Sequence, residues 1–399
     1  MQNQITSRNH AARSICLALL TCLLPAAACA QTQTTPPAQA TPPAAIGPHP
    51  FLDYFRPIPV HGPLSTTAWG AATVGPRDPA NGLEDPSMKE WNYWDGKILR
   101  GRNGKYYMFA SRWDQAAGHR GWGNSKAIEA VSDTLLGPYH DTGLVWPDNQ
   151  GGKGHNVTAL ELADHSYAVV VSETRNGDIF TSKSITGPFT YLGPITVNQA
   201  AFNSLHTAAD AKSLHIPNPK PWHGSNVSLI LRPDGQYEIV QRSGQVLLSK
   251  NLLGPYEIQG DSIYRNLAGL SQGNLGQLED PVVWFSGGWY HILVNAWGDR
   301  RASHLISRDG ISHWMYQGVA YYPEADFIRY TNGQVNHWNK LERPGVYLEH
   351  GHVTAITLAV IDIPKEQENG NDNHGSKIIV IPFDGAALDR DLAHADQPR

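Results

Sequence analysis

Five short segments of this 399-residue chain concentrate acidic, imidazole, amide and guanidinium side chains: Glu84-Asp85-Pro86, Gly154-His155-Asn156, Gly224-Ser225-Asn226, Glu279-Asp280-Pro281 and Glu342-Arg343-Pro344. Each opens an alternating run that reads as a strand, such as Val157-Thr158-Ala159-Leu160 or Val282-Val283-Trp284-Phe285. Dispersed through a core, these groups would be costly, because each unpaired buried ion costs on the order of several kcal/mol. Gathered around one opening, they would recognise a ligand rich in hydroxyls. Two carboxyl groups with opposed protonation would do more. One would activate water, and the other would protonate a leaving oxygen near neutral pH.

Such a meeting requires a fold that repeats. Residues 85, 155, 226, 280 and 342 are spaced by 70, 71, 54 and 62 positions. A second motif recurs between them: Leu135-Leu136-Gly137-Pro138-Tyr139, Ile185-Thr186-Gly187-Pro188-Phe189 and Leu252-Leu253-Gly254-Pro255-Tyr256, with a weaker copy in Asp309-Gly310-Ile311-Ser312-His313-Trp314. Each follows a short run ending in Ser, so Gly-Pro marks a turn and the aromatic starts the next strand. No long segment has helical periodicity. The expected fold is all-β: a five-bladed β-propeller of four-stranded antiparallel blades around a central channel, with 353–361 and 378–383 in the last blade and a strand near 55–60 helping to close the ring. The innermost strand of each blade then starts at the channel mouth, which brings the five openers together.

The doubled Glu-Asp-Pro, the Gly-Pro-aromatic hairpins and the count of five blades resemble the glycosidase propellers of glycoside hydrolase families 43 and 117. The resemblance implies an inverting, exo-acting hydrolase of plant or algal polysaccharide or oligosaccharide. It implies Asp85 as base, Asp280 as the orienting carboxylate and Glu342 as acid. In an inverting enzyme acid and base stand roughly 6.5–9.5 Å apart. The chain departs from family 43 where His155 and Asn226 replace carboxylates, and Leu341 rather than His precedes Glu342.

Further substrate contacts are expected from His155, Asn226, Arg343, from Trp113 and His119 between strands of the first blade, and from Arg175 and Arg242 after the second strands of later blades. Arg at that point of successive blades suits a carboxylate-bearing sugar. His337 is the reserve acid. Each residue also has a structural reading: Asp-Pro caps a strand, Glu84 and Glu279 pair with Arg, Trp packs between blades. Two other functions stay open, a polysaccharide lyase using His, Tyr and Arg on a uronic acid and a non-catalytic glycan-binding propeller. No metal-ligand spacing is visible, so no cofactor is expected to be required, although a structural cation in the central channel would face His155.

The net charge of −5 leaves no basic field for nucleic acid. No Gly-rich phosphate loop follows a strand, and no Gly-x-Ser-x-Gly elbow exists. Residues 1–30 carry Arg8 and Arg13, an apolar run over 15–24 and Ala28-Cys29-Ala30, the pattern of an export signal rather than a transmembrane segment. The expectation is a periplasmic or extracellular protein, with lipidation at Cys29 as the lesser alternative. All three cysteines, Cys16, Cys22 and Cys29, fall in this segment. Residues 31–50 read as a disordered Pro/Thr/Gln-rich tether and 51–399 as one catalytic domain, with the oligomeric state open.

Overall fold

A run such as Ala168-Val169-Val170-Val171 is apolar at every position, so both faces of its strand must be covered. The computed structural model shows how. It describes residues 47–65, 70, 72–198, 200, 224–370 and 373–395. The expected export signal, its cysteines and most of the tether lie outside the described residues.

Five antiparallel sheets follow one another along the chain. Blade 1 holds β1 (Trp91–Arg100), β2 (Tyr106–Asp114), β3 (Lys126–Ser132) and β4 (His140–Leu144). Blade 2 holds β5 (Val157–Glu161), β6 (Tyr167–Val171), β7 (Asp178–Ser182) and β8 (Thr190–Pro194). Blade 3 holds β9 (Ser228–Leu231), β10 (Tyr237–Val240), β11 (Val246–Ser249) and β12 (Glu257–Ile258). Blade 4 holds β13 (Leu278–Ser286), β14 (Trp289–Ala296), β15 (Arg301–Ser307) and β16 (Met315–Tyr321). Blade 5 holds β17 (Lys340–Glu349), β18 (His352–Ile361) and β19 (Ser376–Pro382). The inner strands neighbour one another in a closed circuit, β1 to β5, β9, β13, β17 and back to β1. The fold is the expected five-bladed β-propeller. Its fifth sheet has three strands, and single bridges from Leu83 to Ile378 and Phe55 to Phe383 flank its outer strand.

The period of two in a strand explains the core. In β2, Tyr107 and Phe109 pack towards blade 2, whereas Met108 and Ala110 pack towards blade 5. In β6, Val169 and Val171 face blade 1, and Ala168 and Val170 face blade 3. Each blade is therefore buried on both faces, and apolar side chains fill the gaps between neighbours. The third strands of blades 1 to 4 end in Ser132, Ser182, Ser249 and Ser307, whose hydroxyls accept from the amides of Thr134, Ser184, Asn251 and Asp309 at 3.0–3.3 Å. The Gly-Pro turns that follow in blades 1 to 3 carry cis peptide bonds. Tyr139 and Tyr256 then donate back to the carbonyls of Leu135 and Leu252, both at 2.9 Å.

The C-terminal helix α1 (Gly385–Ala395) lays Leu388 and Leu392 on the core between blades 4 and 5. Its buried Asp389 accepts from Ser286 Oγ at 2.9 Å and pairs with His352 Nδ1 at 2.5 Å. Beside it, His291 and His304 are fully buried, 3.0 Å apart, and stacked under Trp284. Burial lowers the pKa of His291 to about 3 and takes His304 well below its ordinary value. The unfolded chain takes up these protons from about pH 6.5 downward. Stability is therefore full above that pH and falls as the solution is acidified towards 3. The melting temperature, followed between pH 7 and 5, is expected to drop, with a shallower slope in His304→Leu. Among the described residues, no helix is long and apolar enough to cross a membrane.

Candidate active site

The inner strands share a kink that sequence spacing only half reveals. Asp95, Asn156, Asn226, Asp280 and Arg343 all have left-handed backbones, with φ of 75°, 55°, 46°, 55° and 48°. Asn and Asp tolerate this conformation because their short polar side chains bond locally, whereas for Arg343 it is strained by about 1–3 kcal/mol. In β1, β13 and β17 the pairing register slips at the same place. A regular strand would send consecutive side chains to opposite faces. Here His155 and Asn156, and likewise Glu279 and Asp280, line one cavity.

The five kinked residues form the floor. Arg343 donates through Nε to Asp95 Oδ1 at 2.8 Å and through an Nη to Asp280 Oδ1 at 3.0 Å. Asn226 Nδ2 reaches the same Asp280 oxygen at 2.5 Å. Asp95 also accepts from Ser111 Oγ and from the Val157 amide. Burial opposes charge on Arg343, but the two carboxylates outweigh it and raise its pKa.

Above the floor lies a pocket of about 180 Å³ lined by Trp94, His119, Trp122, His155, Asn156, Glu173, Asn226, Arg242, Glu279, Asp280, Glu342 and Lys365. Oxygens of Glu279, Asp280 and Glu342 lie within 4.8 Å of one another. Three carboxylates so close could hold a cation, and Lys365 already supplies one. Its Nζ bonds Glu342 and sits 4.9 Å from the Trp94 ring. Burial would lower the Lys365 pKa, but Glu342 and Glu279 raise it. Glu279 has the opposite fate. Burial first, then repulsion from Asp280 and Glu342, pushes its pKa up to about 8, against weaker attraction from Lys365 and from Arg242, whose nearest Nη is 3.3 Å away. Burial and its acidic neighbours thus favour the protonated form of Glu279.

Glu173, in the turn after β6, lines the same pocket from blade 2. Its Oε1 accepts from Ser225 Oγ at 2.7 Å and from the Asn226 amide at 2.8 Å. His155 and His119 complete the wall. Burial and then Arg343 lower the His155 pKa to about 3, and burial and then Lys365 take His119 well below its usual value. Each has a buried Nδ1 without a partner, so both are neutral rings with a free polar atom. Trp122 is 40% exposed and lies against His155 at 5.0 Å between ring centroids.

Of the predicted site residues, the structure brings together Asp280, Glu342, His155, Asn226, His119 and Arg242, with Arg343 beneath them. It places four elsewhere. Asp85 sits in the turn before β1, where its carboxylate accepts from the amides of Ser87, Lys89 and Glu90 at 2.6–2.9 Å and from the Ser87 hydroxyl. Burial would raise its pKa, but these donors prevail and lower it. The tripeptide Glu84-Asp85-Pro86 copies Glu279-Asp280-Pro281 without sharing its place, and Glu84 bonds Arg77 at 2.5 Å and Lys377 at 2.6 Å. Asp85→Ala is expected to cost about 1–3 kcal/mol of stability, read by denaturant unfolding, with kcat reduced less than about tenfold, far below the loss expected of a general base. Trp113 is buried and donates to Gly118 O at 2.9 Å, packing behind His119 and His155 rather than facing the cavity. Arg175 is held by Asp178 at 2.8 Å over Phe180. His337 pairs with Asp326 at 2.8 Å beside a different cleft.

Sequence reasoning missed Asp95, Glu173 and Lys365 as site residues. Asp95 had a signal: it precedes Gly96, and markers at 95, 156, 226, 280 and 343 follow one local conformation. Glu173 and Lys365 lie in loops whose positions no strand period dictates.

No family model matches the chain, and no curated protein matches it. Solved structures do. A glycoside hydrolase aligns with a TM-score of 0.52 at 14% identity, over 76% of this chain and 61% of its own. Zg3597, a family 117 glycoside hydrolase of the marine bacterium Zobellia galactanivorans, aligns with a TM-score of 0.51 at 12% identity, over 80% of this chain and 96% of its own. A family 43 β-1,3-galactosidase aligns with a TM-score of 0.47 at 13% identity, over 76% and 94%. The chain thus spans 61% of the first of these proteins and nearly all of the second, and its fold is that of glycoside hydrolases.

Proposed function

We propose that this chain is an exported glycoside hydrolase that removes a terminal sugar from an oligosaccharide or polysaccharide, with inversion. The observation that carries the reading is the convergence of Glu279, Asp280 and Glu342 on one small polar cavity that Glu173 lines from another blade, where burial and the neighbouring acids push the Glu279 pKa up. Glu279 protonates the leaving oxygen. Glu173 takes a proton from the attacking water. Asp280, anchored by Arg343 and Asn226, holds up the Glu279 proton together with Glu342. The oxygens of Glu279, Asp280 and Glu342 are too close for a water between acid and base, which in inverting enzymes span roughly 6.5–9.5 Å. The base therefore lies outside the cluster, at Glu173.

The cavity of about 180 Å³ equals the share of about six waters, at about 30 Å³ each, which suits one sugar ring rather than a long chain. His155, His119 and Asn156 offer hydroxyl partners, and the exposed Trp122 offers a stacking face. Elimination is less well served. Arg242 already faces the Glu279 carboxyl group and Lys365 the Glu342 carboxylate, and among the described residues no tyrosine lines the cavity. Export rests on the 1–30 pattern.

Proton NMR of products from a panel of neutral and acidic glycans tests the reading. A reducing sugar of inverted anomeric configuration is expected. Glu173→Ala is expected to lower kcat by about 10²–10⁴-fold. An unsaturated product absorbing in the ultraviolet would replace hydrolysis with elimination, and binding with no turnover of any glycan would make the chain a glycan-binding propeller.

A further inference from the structure

The pocket occupies one end of the central channel. Past the ring of kinked residues the channel narrows to about 40 Å³ between the inner strands. At the other end it widens into a funnel of about 390 Å³ with a different chemistry. Every blade contributes an apolar residue from its inner strand: Leu99, Leu160, Leu231, Phe285 and Leu348. Lys97 lines both the narrow channel and this funnel. Its Nζ reaches across to donate to Val346 O of blade 5 at 2.9 Å.

An ammonium has three donors, and one carbonyl uses one of them. Among the described residues, no carboxylate lies within ion-pair distance of Lys97. The other charged groups of the funnel are engaged: Arg232 bonds Glu238 and Asp234, and Glu161 pairs with His165 at the rim. A lone cation at the inner end of an apolar cone has a defined complement, a carboxylate on a hydrocarbon tail. Burial lowers the Lys97 pKa to about 8, so at pH 7 it is still cationic, and an anion beside it would hold the proton more firmly.

We propose that this funnel binds a medium-chain fatty carboxylate, with its head group on Lys97 and its tail along the five apolar residues. At about 30 Å³ per water-sized group the space accepts a tail of roughly eight carbons with room at the mouth. The proposal is independent of the glycosidase reading, because the site shares no residue with the catalytic pocket.

Isothermal titration of the full chain with octanoate and with octan-1-ol tests it, alongside Lys97→Met and Leu231→Asp. Octanoate is expected to bind at least about tenfold more tightly than octan-1-ol, and Lys97→Met to weaken octanoate by at least about tenfold, as for loss of a charged hydrogen bond. Leu231→Asp, at the end of β9 and away from Lys97, places a negative charge in the funnel and is expected to abolish octanoate binding even if Lys97→Met proves unstable. No heat with millimolar octanoate, or equal affinity for the alcohol, would overturn the proposal. So would a concentration-dependent dimer in sedimentation that Leu231→Asp disperses and octanoate does not, since a second copy would then be the occupant.

Discussion

Glu279→Gln is expected to lower kcat by about 10²–10⁴-fold, the range for losing a general acid, and to remove the alkaline limb of the pH–rate profile. In the native chain that limb is expected where Glu279 loses its proton, at about pH 8. The acid works only while protonated, so kcat is expected to decline about tenfold per pH unit above that value. The same proton bears on stability. The folded pKa lies above the ordinary value of 4.5, so the folded state holds a proton that the unfolded chain releases. Folding stability contributed by this group therefore decreases as the pH rises from about 4.5 to about 8. Glu279→Gln keeps the shape and removes the charge, so it should unfold with less dependence on pH in that window. A lowered kcat with an unchanged alkaline limb in the residual activity would move the acid to another group. Glycosides with good leaving groups provide a second readout, because they need little protonation and should lose much less rate in the variant.

Arg343→Met is expected to destabilise the fold by about 3–5 kcal/mol, the cost of removing one partner from a buried ion network. Asp95 and Asp280 would be left facing each other across the floor without their shared cation. Arg343 is 8% exposed, so solvent cannot replace it. Thermal unfolding should shift down by on the order of 10 °C, given about 2–4 °C per kcal/mol in domains of this size class. Arg343→Lys separates charge from geometry. A single ammonium cannot reproduce two donors from a planar fork, so Lys should recover only part of the loss. The left-handed backbone at residue 343 adds strain that Gly would relieve, but Gly would leave the two carboxylates unpaired. A melting temperature unchanged in Arg343→Met would show that the ring is held by blade packing alone.

The architecture was legible because its causes are local and repeated. The runs that fill the inter-blade gaps are apolar at consecutive positions, the third strands end in Ser, and Gly-Pro followed by an aromatic closes three hairpins. These features act within a few residues, so sequence carries them directly. The fifth blade was less plain, since its outer edge is built from Leu83 and Phe55, 295 and 328 positions from their partners Ile378 and Phe383.

The composition of the site was half legible for the same reason. Asp280, Glu342, His155 and Asn226 stand at or beside the kinks that open inner strands, and those kinks have a residue signature. Glu84-Asp85-Pro86 shows the limit of that signature. The same three letters form a capped turn in one place and a pocket wall in another, because what lies across from Asp85 is its own following backbone, whereas Arg343 and Asn226 from other blades lie across from Asp280. Which carboxyl keeps a proton was beyond the sequence altogether. That depends on burial and on charges contributed by residues 242, 342 and 365, and only closure of the ring sets their distances from Glu279. Local chemistry in the chain thus determined that five blades form and what their openings contain, while the long-range electrostatics of the closed ring decided which of those groups can act.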